Sequence, residues 1–340
     1  MGRQDGKKAS YLDPMVQMMP YIMTKRSDAT NTAKVELKCD AIDKFIAEQK
    51  QQGNVFSYND VIVSSLVRLY ATRLQLNRFV IGRKIYDRYK MTVAFVIKKG
   101  LKENGAETTV KLDFDGSESI FDVRDKIAKV VAENMKEDVN ITDLAMSKLL
   151  SLPSWVLRFV MWIIRGLDRC GNLPSWLLDA SPFHTSCFIT FLKSIKCDYI
   201  YHHIYDFGTT GLFFAMGKDK RVPVVGENGE VTVGKSITMG VTMDERFCDG
   251  LYMANTVRYW QTLLSHPDKL LQKVEPVYTK ELVLKRRKEN IEKRKAELKE
   301  LSESFKRNKK LLKQNRRKEK KEQKAAEKQR RAQLRQQNKK

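Results

Sequence analysis

Paired cysteines are missing from this 340-residue chain: Cys39, Cys170, Cys187, Cys197 and Cys248 are odd in number and never form a Cys-x-x-Cys unit. Their pattern argues against a disulfide framework or a zinc site, and a reducing cytoplasm is the simplest home. Neither a Gly-x-Gly-x-x-Gly nor a Gly-Lys-Ser/Thr loop occurs, so nothing marks a doubly wound nucleotide fold. The apolar run Trp155 to Ile164 is too short to span a bilayer and carries Arg158, with Arg165 directly after it. Met1 to Ser10 is polar, and the apolar residues that follow are broken by Asp13, Pro14 and Pro20, so no cleavable signal is legible and a non-secreted protein is expected. Histidine is scarce, with only four to weigh as catalytic groups.

What is present is ordinary for a globular body: 42% hydrophobic and 9% aromatic residues, enough for a sizeable core. The charge of +23 is unevenly spread. Residues 280–340 hold 26 Lys/Arg against 9 Asp/Glu, a net of +17, which leaves +6 for the rest. The expected organisation is an N-terminal arm over 1–19, a globular domain over 20–279 with an amphipathic helical insert at about 149–180, and a basic tail over 280–340.

Residues 1–20, with Met15, Met18 and Met19 scattered among polar residues, are expected to pack as an irregular segment. Val35, Leu37 and Cys39 alternate with Lys34, Glu36 and Lys38, the period of a half-buried strand. A helix follows from about Ala41 to Gln51. Ser57 and Asp60 form a capping-box pattern ahead of an apolar face of Ile62, Leu66, Leu69 and Tyr70. Lys90 to Lys98 and Thr108 to Phe114 read as a hairpin, and Ile120 to Met135 returns to helical spacing. The word Leu-Pro-Ser-Trp occurs at 152–155 and again at 173–176, which predicts two short amphipathic helices, each starting after a proline. Ser186 to Phe191 and Leu212 to Met216 read as buried strands. Asn228-Gly229 marks a turn between Pro223–Val225 and Val231–Val233, and Ser236 to Met243 is the last strand. Hairpins mixed with long helices predict an α/β (α+β) two-layer sandwich, a mixed sheet with helices on one face.

That last strand leads into Asp244-Glu245-Arg246-Phe247-Cys248-Asp249-Gly250. The spacing resembles the His-x-x-x-Asp-Gly signature of the chloramphenicol acetyltransferase and dihydrolipoyl acyltransferase family, with Glu245 in the histidine's place. Further matching words, in order, are Pro20-Tyr-Ile-Met-Thr-Lys-Arg26, Leu76-Asn-Arg-Phe79, Phe188-Ile-Thr190, Ala215-Met-Gly217 and Ser265-His-Pro-Asp-Lys-Leu270. From about Pro20 to Leu271 the order of elements is similar to the catalytic domain of 2-oxoacid dehydrogenase acyltransferases. The lipoyl and subunit-binding domains that precede that unit in the family are not seen here, so the resemblance implies a free-standing member with no lipoyl group of its own. It implies a homotrimer whose active sites lie between subunits, coenzyme A or acyl-CoA as substrate, an unknown small acceptor, and no metal. Asp249 would take the family's structural aspartate, paired with Arg26, and Gly250 would let the backbone turn into the next helix.

Glutamate is a weaker base than histidine by roughly 3 kcal/mol on the reference pKa scale, about a hundredfold in rate if the whole gap is felt. No serine or threonine lies between Ile195 and Phe207, where the family's hydroxyl donor is expected. Tyr201-His202-His203 stands there instead. Either histidine, facing Glu245 of a neighbouring subunit, would give a His–carboxylate couple with its parts exchanged; the alternative is two ordinary loop histidines. His184 is a further lining residue or a structural hydrogen-bonder, and Cys248 reads as a small buried residue.

Three readings stay open: an acyltransferase of this superfamily, its activity impaired by the change to Glu245; a trimeric binding or scaffold protein without the chemistry; and a nucleic-acid or membrane-associated adaptor for which the tail is the working part. In the tail, Leu284, Ile291, Leu298, Phe305 and Leu312 recur every seven residues, with mostly polar partner positions. A long solvated helix fraying after about Leu312 is expected, and non-specific contact with RNA or an anionic membrane surface. The localisation expected is cytoplasmic, with the membrane surface as a peripheral site.

Overall fold

The computed structural model describes residues 3–98, 107–136, 147, 150–225 and 228–337. Two compact units are resolved, Met1–Arg286 and Arg287–Lys340. In the first, six strands form a mixed sheet in the order β2 (Thr30–Lys38), β9 (Val231–Asp244), β8 (Leu212–Val225), β7 (Cys187–Phe191), β5 (Met91–Lys98) and β6 (Glu107–Phe114). β7 runs parallel to both β5 and β8, and the other pairs are antiparallel. The expected mixed α/β architecture is the one the chain adopts.

One face of this sheet is covered by α2 (Asp40–Gln51), α3 (Tyr58–Thr72), α4 (Ile120–Lys136) and α7 (Gly250–Leu264). The Ser57–Asp60 capping box forms as expected and starts α3. That helix is then apolar on nearly all sides, with Ile62, Leu66 and Leu69 fully buried. Each such side chain stabilises the fold by about 1.5–3 kcal/mol relative to an exposed one. Trp260 of α7 is buried among them and donates its indole N–H to Ser65 Oγ at 2.8 Å. From the strands, Val35, Val93, Ile189, Phe214 and Val241 complete this core.

The opposite face carries a smaller cluster of Ala94, Phe188, Ile204 and Phe213, crossed by the segment 197–210. The crossing is close: a Cβ at Gly240 would sit 1.9 Å from Ile200 O, and one at Gly217 would sit 2.7 Å from Tyr199 N. Glycine at both positions is what lets this histidine-bearing segment lie on the sheet.

Several expectations change. The N-terminal arm is regular in part: β1 (Gly6–Lys8) pairs with β4 (Lys84–Arg88), and α1 (Pro14–Ile22) starts at Asp13, whose carboxylate accepts from Met15 N. Pro14 at the first helical position is the start signal that the scattered methionines obscured. β3 (Arg78–Ile81) and β4 form an unforeseen hairpin and, with β1, a three-stranded sheet. The strand and hairpin expected after Leu212 and around Asn228-Gly229 merge into β8 and β9, two strands of 14 residues with an irregularity between Met216 and Asp219. The loop joining β5 to β6 lies outside the described residues. Both amphipathic helices form, α5 (Ser154–Cys170) and α6 (Ser175–Ala180), with Pro153 and Pro174 at their N-caps. The last helix, α8, runs Lys280–Gln337, past Leu312. Its lack of proline and glycine and its wealth of Lys, Arg, Glu and Gln favour an unbroken helix.

Candidate active site

The motif occupies the corner where β9 hands over to α7. Asp244 is the last residue of β9, opposite Thr30 of β2, and its N–H donates to Gly211 O at 3.0 Å. Its fully buried carboxylate accepts from Arg246 Nε at 2.8 Å and Nη2 at 2.6 Å. Arg26 lies on the other side, its Nε 3.5 Å from Asp244 Oδ2. At that distance the contact is electrostatic, and Arg26 Nε makes no hydrogen bond among the described residues. The remaining Arg26 nitrogens donate to Tyr205 O and Val80 O, both at 2.8 Å, and its backbone N–H donates to Asp206 at 2.7 Å. Burial opposes the Arg26 charge and lowers its pKa, while Asp244 acts in the other direction. One buried carboxylate thus holds two buried guanidiniums and ties together β9, the segment before β2, the end of β3 and the 205–206 turn.

The expected Arg26–Asp249 pair does not form. Asp249 is exposed and spends its carboxylate as the N-cap of α7, accepting from Tyr252 N at 2.8 Å. Its side chain faces the helix start, whereas Asp244 faces the buried arginines. Gly250 also departs from expectation. It is the first residue of α7, is not among the positive-φ glycines, and a Cβ there would meet nothing within 4 Å. The bend is made by the Asp244 brace, and Gly250 needs no special backbone freedom for it.

Glu245 is exposed at the apex. Its N–H donates to Ala29 O at 2.9 Å, and its carboxylate takes part in no hydrogen bond or ion pair among the described residues. Below it, Phe247 and Cys248 are buried. Burial, with the Asp249 charge adding to it, pushes the Cys248 thiol up to about 12, so it is no thiolate nucleophile at neutral pH.

His202 and His203 come from the segment crossing the sheet. His202 is half-buried and stacks on Phe213, ring centroids 3.8 Å apart and planes 4° from parallel. Phe213 pairs in register with Thr242, three residues before Glu245. His202 Nδ1 lies 2.9 Å from His203 O. A carbonyl only accepts, so Nδ1 carries the proton and Nε2 of the neutral ring is left as an acceptor. Burial pushes the His202 imidazole below the usual histidine range. His203 is exposed and packs edge-on to Tyr205. No hydrogen bond links either ring to Glu245 within the chain, among the described residues.

His184 is buried in a separate network. Its ring nitrogens lie 2.7 Å from Ser181 Oγ and 3.1 Å from Asp168 Oδ2, and Arg3 Nη1 donates to the same Asp168 at 2.8 Å. Burial alone would raise the Asp168 carboxyl, but His184 and Arg3 hold it below the usual carboxylate range. His184 lines a cavity of about 470 Å³ together with Asp5, Arg88 and Lys111. Burial, helped by nearby Arg88, lowers Lys111 to about 8. Sequence reasoning missed Asp168, Arg88 and Lys111, because buried charges carry no local pattern. A second cavity, of about 630 Å³, has Arg26 and Arg246 in its wall, with Lys25, Arg83, Arg165, Arg169 and Asp206. Among the described residues no cluster of three His, Cys, Asp or Glu is placed to hold a metal ion.

The resemblance read from the motif is matched independently. Residues 212–272 fit the family model of the 2-oxoacid dehydrogenases acyltransferase (catalytic domain), a stretch that takes in β8, β9, the corner and α7. Among curated proteins none matches. Among solved structures, the chain is similar to a probable dihydrolipoamide acetyltransferase from Listeria monocytogenes (12% identity, 78% of this chain and 97% of that one, TM-score 0.49). It is similar too to the dihydrolipoamide acetyltransferase of Azotobacter vinelandii (12% identity, 76% and 93%, TM-score 0.49) and to a chloramphenicol acetyltransferase (10% identity, 76% and 99%, TM-score 0.47).

Proposed function

We propose that this protein is a coenzyme-A-dependent acyltransferase that works at the subunit interface of a homotrimer, with Glu245 and His202 or His203 of a neighbouring copy as its proton-transfer couple. The observation that carries this reading is the corner itself. The matched stretch 212–272 contains Glu245, which stands exposed beside the buried Arg26–Asp244–Arg246 brace, where the sequence resemblance would put the family's base.

In the proposed reaction the acceptor's thiol, hydroxyl or amine attacks the acyl-CoA thioester carbonyl, and its proton passes to the base. The tetrahedral intermediate then collapses, the carbon–sulfur bond breaks, and the proton goes to the departing coenzyme A thiolate. Taking a proton from a thiol of reference pKa about 8.5 is uphill by about 6 kcal/mol for glutamate and about 3 kcal/mol for histidine. The difference favours histidine as base and Glu245 as the group that orients it. In His202 the Nδ1–H already donates to His203 O, which orients that ring with Nε2 as its base, so the ring open to orientation by Glu245 is His203.

A second reading, a trimeric binding or scaffold protein without chemistry, is favoured by one observation: among the described residues the exposed Glu245 carboxylate makes no hydrogen bond or ion pair. The pure protein incubated with acetyl-CoA and a panel of thiols, alcohols and amines separates the two. Release of free coenzyme A together with acylated acceptor is expected. If neither transfer nor hydrolysis occurs and coenzyme A gives no thermal stabilisation, the acyltransferase reading fails. We place the protein in the cytoplasm and assign residues 280–340 to non-specific contact with RNA or anionic surfaces, which predicts affinity that falls steeply with salt and drops on deleting them.

A further inference from the structure

We infer that α5 and the basic cavity beside it form a docking surface for an anionic phospholipid bilayer, separate from the basic tail and adjoining the acyl-transfer corner through Arg26 and Arg246 in the cavity wall. On α5, Trp155, Phe159, Trp162 and Ile163 stand at i, i+4, i+7 and i+8 and share one face. Trp155 and Trp162 are each 71% exposed and Phe159 is 56% exposed. The Phe159 and Trp162 rings stack at 6.0 Å, so the patch is a preformed aromatic surface. Trp176, 69% exposed at the start of α6, adds a third indole to the same insert. A soluble protein seldom leaves so much contiguous aromatic area in water without a partner for it.

The flank of this stripe says which partner. Arg158, Arg165 and Arg169 recur at helical spacing along one side of the aromatic face, and Arg165 and Arg169 continue into the wall of the 630 Å³ cavity with Lys25 and Arg83. None of these five cations takes part in an ion pair among the described residues. Among the described residues Asp206 is the one carboxylate in the wall, and it accepts from the backbone N–H groups of Arg26 and Ser27. Arg83 enters the cavity from the β3–β4 turn at φ 60°, a left-handed conformation that Gly or Asn adopts at less cost. The result is a cavity of concentrated positive charge next to an exposed row of indoles.

A lipid interface satisfies both features at once. Indoles settle at the level of the headgroups, with arginines pairing with the phosphates beside them. No helix among the described residues is long and apolar enough to cross a membrane, so α5 lies in the plane of the interface. The cavity then takes one lipid phosphate. A second copy of the chain is a poorer occupant, because the chain carries a net charge of +23 and another copy would set the arginines of this flank against a basic partner.

The test uses the full chain and vesicles of brominated phosphatidylcholine, with or without phosphatidylglycerol. The tail has no tryptophan, so quenching reports insertion of the insert and not adsorption of the tail, and buried Trp260 supplies an unquenched baseline. Anionic vesicles are expected to blue-shift and quench the exposed indoles. Arg165→Gln and Arg169→Gln should weaken vesicle affinity by about fivefold each, and Trp155→Ser with Trp162→Ser should abolish most of the quenching while leaving Trp260 emission native. Sedimentation with anionic vesicles in the absence of quenching would overturn the proposal. So would indoles already shielded without lipid, in an oligomer that Trp162→Ser breaks into monomers.

Discussion

Replacing Asp244 by alanine tests the corner at its most loaded point. The carboxylate is fully buried and is the counter-charge to Arg26 and Arg246, each only 4% exposed. Removing it leaves two guanidiniums facing each other out of water. Breaking a buried ion pair from one side costs about 3–5 kcal/mol, and a domain of this order of size loses roughly 2–4 °C of melting temperature per kcal/mol. The Asp244→Ala variant should therefore melt about 6–20 °C below the parent. Asp249→Ala is the control. Sequence pattern assigns the structural ion pair to Asp249, but Asp249 only caps α7, and loss of such a cap costs about 1 kcal/mol. Differential scanning calorimetry of both variants decides the assignment. Were Asp249→Ala to cost more than Asp244→Ala, the brace described here would be wrong.

Other predictions follow from the same geometry. Under native conditions a thiol reagent should label the exposed Cys170 and Cys197 quickly, whereas Cys187 and Cys248, each pushed up to about 12 by burial, should react only after unfolding; fast labelling of Cys248 would contradict the buried corner. Because the folded-state pKa of His202 is lowered, the neutral ring's contribution to stability is complete above the unfolded value of about 6.5 and is lost as pH falls below it. His202→Phe should therefore flatten the acid side of the stability profile below about pH 6.5, and an unchanged slope there would show that His202 titrates as if free. For Gly240→Ala, the new Cβ would sit 1.9 Å from Ile200 O. It should displace the 197–210 segment, lower stability and cost most of any transfer activity; a variant with parental melting and activity would mean that the segment does not need to lie against the sheet.

Much of this fold was legible in the chain. The alternation at Val35, Leu37 and Cys39, the Ser57–Asp60 capping box, the Asn228-Gly229 turn and the two Pro-initiated helices all work locally, and local rules found them. What escaped was set at long range. The β3–β4 hairpin turns through Gly82-Arg83, and an arginine in the left-handed region is what turn rules steer away from. Arg3, Arg26, Arg88 and Arg246 are all buried, against the ordinary preference of arginine for the surface; Asp168 lies 165 positions from Arg3, so no window along the chain shows that pair. The motif itself was found by spacing, yet the division of labour between its two aspartates was not. Asp244 and Asp249 differ in which way the chain faces at each, and that depends on Arg26 arriving from more than two hundred residues away. Glu245, by contrast, was singled out from the sequence and stands exposed at the corner.

The most direct test is a single-turnover measurement of acyl loss from radiolabelled acetyl-CoA by the parent and by Glu245→Gln, with the acceptor that supports turnover. Glutamine keeps the size of the side chain and removes its charge and basicity, and among the described residues Glu245 makes no side-chain bond whose loss would unfold the corner. Glu245→Gln should run at least about tenfold slower, equivalent to about 1.4 kcal/mol of transition-state stabilisation, at an unchanged melting temperature. Equal rates in the two proteins would contradict that expectation and remove Glu245 from the reaction.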